Sequence, residues 1–270
     1  MQATYENHLA LRQNKLCPFK LLNSHLTGYG ICNWHKNPEI IYVTEGTGIV
    51  QYGGDSIKLE KGDIIAVNSD VLHGLASESS FDFLGIIIDD AFCAENGIRP
   101  DKILFERKFR DLVAKELILD VQSTIENYKS AKTPILATKA RISVLKLLVY
   151  MVENHTITPS ENNLTSNPSE EHVKTAISYL NNHFTEDVTL ERLAKECGVT
   201  RYHLARVFKR YTAETVFTYL NSVKCKNAES MLREGASVTE AALASGFESI
   251  SYFSRTYKKV VGYPPSHIKH

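Results

Sequence analysis

The sequence predicts an α+β protein of two domains, a β-barrel or sandwich followed by an all-helical region. Three observations carry that reading. Between Phe19 and Ile88, apolar and β-branched runs alternate with turn signals. Between Val113 and Val152, apolar residues recur at helical spacing instead. The last hundred residues then hold one pattern twice, as LERLAKECGVTRYHLARVFKR from Leu190 and VTEAALASGFESISYFSRTYKK from Val238.

The strand runs are IIYV at 40–43, GIVQY at 48–52, DIIAV at 63–67 and FLGIII at 83–88. Glu45-Gly46, Gly53-Gly54-Asp55 and Lys61-Gly62-Asp63 read as the turns between them. Short strands so spaced suggest a sandwich or small barrel. Val113, Leu117, Val121, Ile125 and Tyr128 then mark a first amphipathic helix. After Thr133-Pro134, Ile135, Thr138, Ile142, Leu145, Val149 and Val152 mark a second. A stripe of this length packs inward in most proteins, and contact with a second subunit stays open beside that reading. Residues 153–170, poor in apolar side chains and holding two prolines, read as a linker. The predicted division is 1–152 for effector binding and dimerisation and 171–270 for the helical domain, whose repeats fall at about 189–211 and 237–260.

Lys and Arg number 31, as do Asp and Glu, so net charge indicates no partner. Its distribution does. Residues from Glu171 onward carry 14 basic against 10 acidic side chains, and the first 170 carry 17 against 21. Between Arg201 and Arg233, seven basic residues face only Glu214 and Glu229. Five widely spaced cysteines without a C-x-x-C pair fit reduced thiols in a cytoplasmic protein. The first fifteen residues have no apolar signal core, and the longest apolar stretch, Val144 to Val152, is too short to span a bilayer.

In the repeats, Ala194 and Ala242 each precede a glycine by four residues, Gly198 and Gly246. Farther on, Arg206 matches Arg255, Phe208 matches Tyr257 and Lys209 matches Lys258. A short helix, a glycine turn and a longer basic helix make a helix-turn-helix. Leu204, Val207, Phe208 and Tyr211 fall on the core side of the first longer helix, and Tyr202, Ala205, Arg206 and Lys209 on the other. In the second, Phe253, Tyr257 and Val260 go inward while Ser251, Ser254, Arg255 and Lys258 go outward. One such face alone is more often merely solvated. Two in register, joined by a predicted helix from Val216 to Arg233, point to DNA held at two neighbouring places.

The stretch KCKNAESMLREGASVTEAALASGFESISYFSRTYKKVVGYPPSHIK, Lys224 to Lys269, closely resembles the DNA-binding domain of the AraC family of transcription regulators. The resemblance implies base-edge contacts from Tyr202, Ala205, Arg206, Ile250, Ser251 and Arg255. Arg201, Lys209 and Lys258 complete the expected DNA-binding set, and Arg210 and Lys259 are placed for phosphates. Ala213 departs from the family pattern, where glycine is usual. The segment His35–Gly48 is similar to the first cupin motif, and Gly62-Asp63 with His73 to the second. Relatives therefore imply a cupin-like β-barrel before the two amphipathic helices. Cupin enzymes hold a metal at positions filled here by Asn33, His35, Glu39 and His73, and Asn33 replaces a histidine. The expected role is thus effector sensing, with Trp34, His35, Glu39, His73 and Phe83 lining the site and no catalytic residue, cofactor or resident metal. A sugar is the leading effector. Expected partners are double-stranded DNA, the small-molecule effector, a second copy of the chain and RNA polymerase. The alternatives are a metal-dependent cupin enzyme fused to a DNA-binding domain, and an effector-independent DNA-binding dimer.

Overall fold

A computed structural model describes residues 11, 14–158 and 167–268. The barrel half is an antiparallel sheet of β1 (Phe19–Tyr29), β2 (Glu39–Tyr52), β3 (Asp55–Glu60), β4 (Ile64–Val67), β5 (His73–Ile88) and β6 (Lys108–Phe109). Strand order is β1-β5-β2-β4-β6, with β3 paired to β2. Strand alternation sorts its apolar residues into two cores. Ile41 and Val43 join Val50, Tyr52, Leu59, Phe81 and Phe83 on one face. Ile40 and Tyr42 join Ile64, Leu84 and Ile86 on the other.

That second face is covered by α2 (Leu112–Ala131) and α3 (Pro134–Asn154), which follow a short α1 (Asp90–Glu95). Asp111 caps α2 and Thr133 caps α3, with Pro134 in the first turn. The buried faces are Ala114, Ile118, Val121 and Ile125 of α2 and Ala137, Ala140, Val144, Leu147, Leu148 and Met151 of α3.

Two sequence expectations are corrected here. Glu45-Gly46 is not a turn. β2 runs through it, and the pairing with β5 slips between Val43 and Glu45 and again between Gly46 and Ile49. Gly46 has φ +78°, and any Cβ there would collide with the Ser80 carbonyl oxygen, so the glycine serves a bulge. The helical stripe of α3 is only partly inward, with Leu145 and Val152 packed against the core. Ile135, Ile142 and Val149 are 63, 48 and 47 % exposed, because the small and apolar residues beside them pack on the sheet instead.

The helical half comprises α4 (Pro168–Asn182), α5 (Leu190–Glu196), α6 (Arg201–Thr212), α7 (Val216–Arg233), α8 (Val238–Ala244) and α9 (Ile250–Val261). Of the expected linker, residues 159–166 lie outside the described residues. Tyr211, Tyr219, Phe208, Leu193 and Ile177 form a core that also takes in Cys32, Trp34 and Leu72 of the barrel half. Cys225, Ala228, Leu232, Ala242, Phe253 and Tyr257 form a separate one. All five cysteines are buried free thiols. Burial pushes the Cys17 and Cys197 thiols up to about 11, so neither is a ready nucleophile. None of the described helices is long and apolar enough to cross a membrane.

Two stability predictions arise at the α6–α7 corner. Ala213 ends α6 with φ +60°, a conformation that costs a non-glycine residue about 1–2 kcal/mol. Ala213→Gly is expected to raise unfolding stability by up to about 1 kcal/mol, measured by urea denaturation. Glu214 beside it is buried, and burial pushes its carboxyl from 4.5 up to about 7. The folded state therefore keeps a proton that the unfolded chain has released. Stability should fall as pH rises between those two values and level off above them, and Glu214→Gln should flatten that slope.

Candidate nucleic-acid interface and effector site

Each repeat folds through the same local chemistry. The Thr189 hydroxyl caps α5 by accepting from the Arg192 amide, and Thr200 caps α6 by accepting from that of His203. Ser237 and Glu240 form a capping box at α8, and Ser249 caps α9 through the Tyr252 amide. The turns match bond for bond. The Gly198 and Val199 amides donate to the Lys195 and Ala194 carbonyls, and the Gly246 and Phe247 amides to those of Leu243 and Ala242. This helix-ending bond pair needs a left-handed residue, supplied by Gly198 at φ +68° and Gly246 at φ +75°.

The two longer helices then present comparable faces. α6 buries Leu204, Val207, Phe208 and Tyr211, and α9 buries Phe253 and Tyr257. Arg201, Tyr202, Ala205, Arg206 and Lys209 on α6 are all exposed, as are Ile250, Ser251, Arg255 and Lys258 on α9. Tyr202 is 73 % exposed and Ile250 44 %, large apolar areas at the starts of both helices. Arg201 differs from its neighbours. Its guanidinium pairs with the Glu191 carboxylate of α5 and donates to the Tyr202 hydroxyl at 3.0 Å. It braces α5 against α6, whereas Arg206 meets, among the described residues, the His203 ring at 3.5 Å.

In the barrel half, three of the sequence-selected residues converge. The Glu39 Oε2 lies 3.1 Å from His73 Nε2 and 3.3 Å from His35 Nε2. The two rings stand edge to face with centroids 5.0 Å apart, and all three residues are buried. Each ring's Nδ1 faces a backbone carbonyl, Asn37 at 2.7 Å and Val71 at 2.9 Å. A carbonyl only accepts, so each Nδ1 carries a hydrogen, and both Nε2 atoms face the Glu39 carboxylate. Burial pushes the Glu39 carboxyl up, but hydrogen bonds from His35 and His73 outweigh it and hold the group well below the usual carboxylate range. Two imidazoles and a carboxylate, their ligand atoms within 4.8 Å of one another, are also a donor set that a divalent transition metal accepts. Asn33 pairs with His73 through both backbone amides, each at 2.9 Å.

Phe83 shares the barrel face of Ile41 and Val43 and stacks on Phe81 at 5.3 Å, farther along the interior from Glu39. Trp34 does not join the cluster. It packs into the core shared with the helical half, with the Lys174 ammonium 6.0 Å from its ring centre. Trp34 precedes His35 in an irregular segment between β1 and β2, and its side chain lies on the side of the helical half.

A helix-turn-helix domain family matches residues 193–270, and a cupin domain family matches residues 28–87. Residues 193–270 are thus a helix-turn-helix domain of the AraC type, behind a cupin domain. It is 22 % identical to the HTH-type transcriptional regulator YdeC of Bacillus subtilis, over 92 % of this chain and 89 % of that one. It is 22 % identical to the HTH-type transcriptional activator RhaS of Escherichia fergusonii, over 87 and 86 %. Among solved structures, ToxT from Vibrio cholerae with bound unsaturated fatty acid superposes with a TM-score of 0.49 at 13 % identity, covering 92 % of this chain and 93 % of that one.

The helix-turn-helix region keeps two glycine turns, and they differ in tolerance. At Gly198 a Cβ would meet nothing within 4 Å, whereas at Gly246 it would lie 2.7 Å from the Thr185 Cα. Gly246→Ala should therefore destabilise by clearly more than the roughly 1–2 kcal/mol of left-handed strain expected for Gly198→Ala. Thermal unfolding of the two variants side by side checks this.

Proposed function

We propose that this regulator binds DNA sequence-specifically under the control of a small-molecule effector. α6 and α9 enter two successive major-groove segments about 10 bp apart. The matched pair of turns, each offering an exposed arginine one turn into its longer helix, carries the proposal. Arg206 and Arg255 read base edges, Tyr202, Ala205, Ile250 and Ser251 flank them, Lys209 and Lys258 meet phosphates, and Arg201 reaches a phosphate only by giving up its pair with Glu191. Similarity to a protein named as a transcriptional activator supports activation, with RNA polymerase as a partner.

The effector reading rests on His35, Glu39 and His73. A buried convergence of two imidazoles and a carboxylate suits a polar ligand such as a sugar, whose hydroxyls both donate and accept, with the Phe83 face farther inside. A second reading has its own support, since the same three atoms would chelate a divalent transition metal. Dimerisation is proposed through the exposed apolar face of α2 and α3, made by Val113, Ile142, Val149 and their neighbours.

Arg206→Ala and Arg255→Ala should each weaken a cognate site by about 1–3 kcal/mol and leave random DNA nearly unchanged, by fluorescence anisotropy at fixed salt. Equal loss on random DNA would make them phosphate contacts. A thermal-shift screen should show sugars raising the melting temperature of the wild type but not of Glu39→Gln. A response to divalent metals alone would favour the chelating reading. Ile142→Glu should convert a dimer to monomer in analytical ultracentrifugation without loss of helicity.

A further inference from the structure

Arg206, given a base edge to read in the proposal above, is held by its own helix. His203 lies one turn before it, and the Arg206 Nη2 sits 3.5 Å from the His203 Nδ1. Arginine only donates, so that nitrogen accepts and the hydrogen of the neutral ring sits on Nε2. Behind the ring stands His172 of α4, edge to face with centroids 5.8 Å apart. The His172 Nδ1 is buried and, among the described residues, without a hydrogen-bond partner. Glu191, the α5 carboxylate at this end of α6, is engaged by Arg201. Among the described residues, the ionisable groups set against His203 are thus His172 from α4 and Arg206 from α6 itself.

The second repeat supplies the contrast. In register, Arg255 matches Arg206, and Tyr252 falls where His203 stands. The Tyr252 hydroxyl is engaged with α7, accepting from the Asn221 side-chain amide at 3.0 Å. Among the described residues, Arg255 makes no hydrogen bond or ion pair. α9 contains no histidine, so its arginine has no neighbour on the helix that changes charge near neutral pH.

Resting on the base-reading role proposed for Arg206, we infer that His203 is a positioning residue that makes sequence reading by the first head depend on protons. With Nδ1 unprotonated, the ring accepts from Arg206 and narrows the orientations that the guanidinium gives up on meeting a base edge. A proton on Nδ1 removes the acceptor and sets a second cation one turn from Arg206, a spacing at which like charges repel. The added charge also attracts any phosphate backbone, whatever its sequence. Acid thus exchanges discrimination for non-specific affinity, and does so at α6 alone.

The test is fluorescence anisotropy of the full chain on a selected duplex at fixed salt, over roughly pH 5–8, where imidazole changes charge. Two altered duplexes accompany it, one changed at the base pair that Arg206→Ala no longer senses and one at the pair that Arg255→Ala no longer senses. Acidification should cut discrimination at the first pair by about two- to fivefold, the scale of exchanging a favourable for a repulsive pair one turn apart on a helix. Discrimination at the second pair should hold, and affinity for random duplex should rise. His203→Gln, whose amide oxygen accepts from Arg206 but takes up no proton, should keep the neutral-pH discrimination and flatten the profile. His203→Ala should flatten it at the lower level, and His172→Phe should leave the profile in place, which assigns the proton to His203. A flat wild-type profile, an equal acid loss at both base pairs, or an acid loss that survives in His203→Gln would overturn the inference while leaving the base-reading role intact. If Arg206→Ala instead weakens every duplex equally, the base-reading role fails and this inference fails with it.

Discussion

One helix belongs to two cores, and the arrangement of the DNA-binding half follows from it. The first half of α7 buries Val216, Tyr219, Leu220 and Val223 with the first helix-turn-helix. Its second half buries Cys225, Ala228 and Leu232 with the other. At about 1.5 Å per residue its eighteen residues span roughly 27 Å, close to one turn of DNA. Neither recognition helix can change its orientation without unpacking a core against α7. The exposed side chains on α6 and α9 are thereby fixed at a spacing that a single loop would not enforce.

The same helix reaches into the barrel. Tyr219 closes the first core and, through its hydroxyl, the seam to Cys32. The barrel half, α6 and the N-terminal part of α7 are consequently one packed unit, with α8 and α9 carried at the far end. The chain thus has an asymmetric pair of DNA-binding elements: one in direct contact with the sensing barrel, the other connected to it only through α7.

Much of the helical half was legible in the sequence because its signals are local. Glycines at a fixed offset, hydroxyl caps and a Ser237–Glu240 box each act within a few residues, and two copies exposed the pattern. Where the sequence misled, a single signal served two geometries. Gly46 supplies a positive φ to a bulge as readily as to a turn. α3 carries apolar residues on both faces, so the stripe through Ile135, Ile142 and Val149 was as regular as the one that packs on the sheet. Trp34 sits in an irregular segment where alternation could not be counted. The seam left no sequence signal at all, since its bonds join residues 98 to 187 positions apart. The cluster of His35, Glu39 and His73 was found only through its resemblance to a known motif.

The most direct test of two heads on one rigid helix is a hydroxyl-radical footprint on a site selected from random duplexes. The account predicts, for each chain bound, two protected stretches on one face of the DNA, centred about one helical turn apart. Substituting Arg255 should erase only the stretch read by α9. A single protected stretch, or two whose separation varies from site to site, would contradict it.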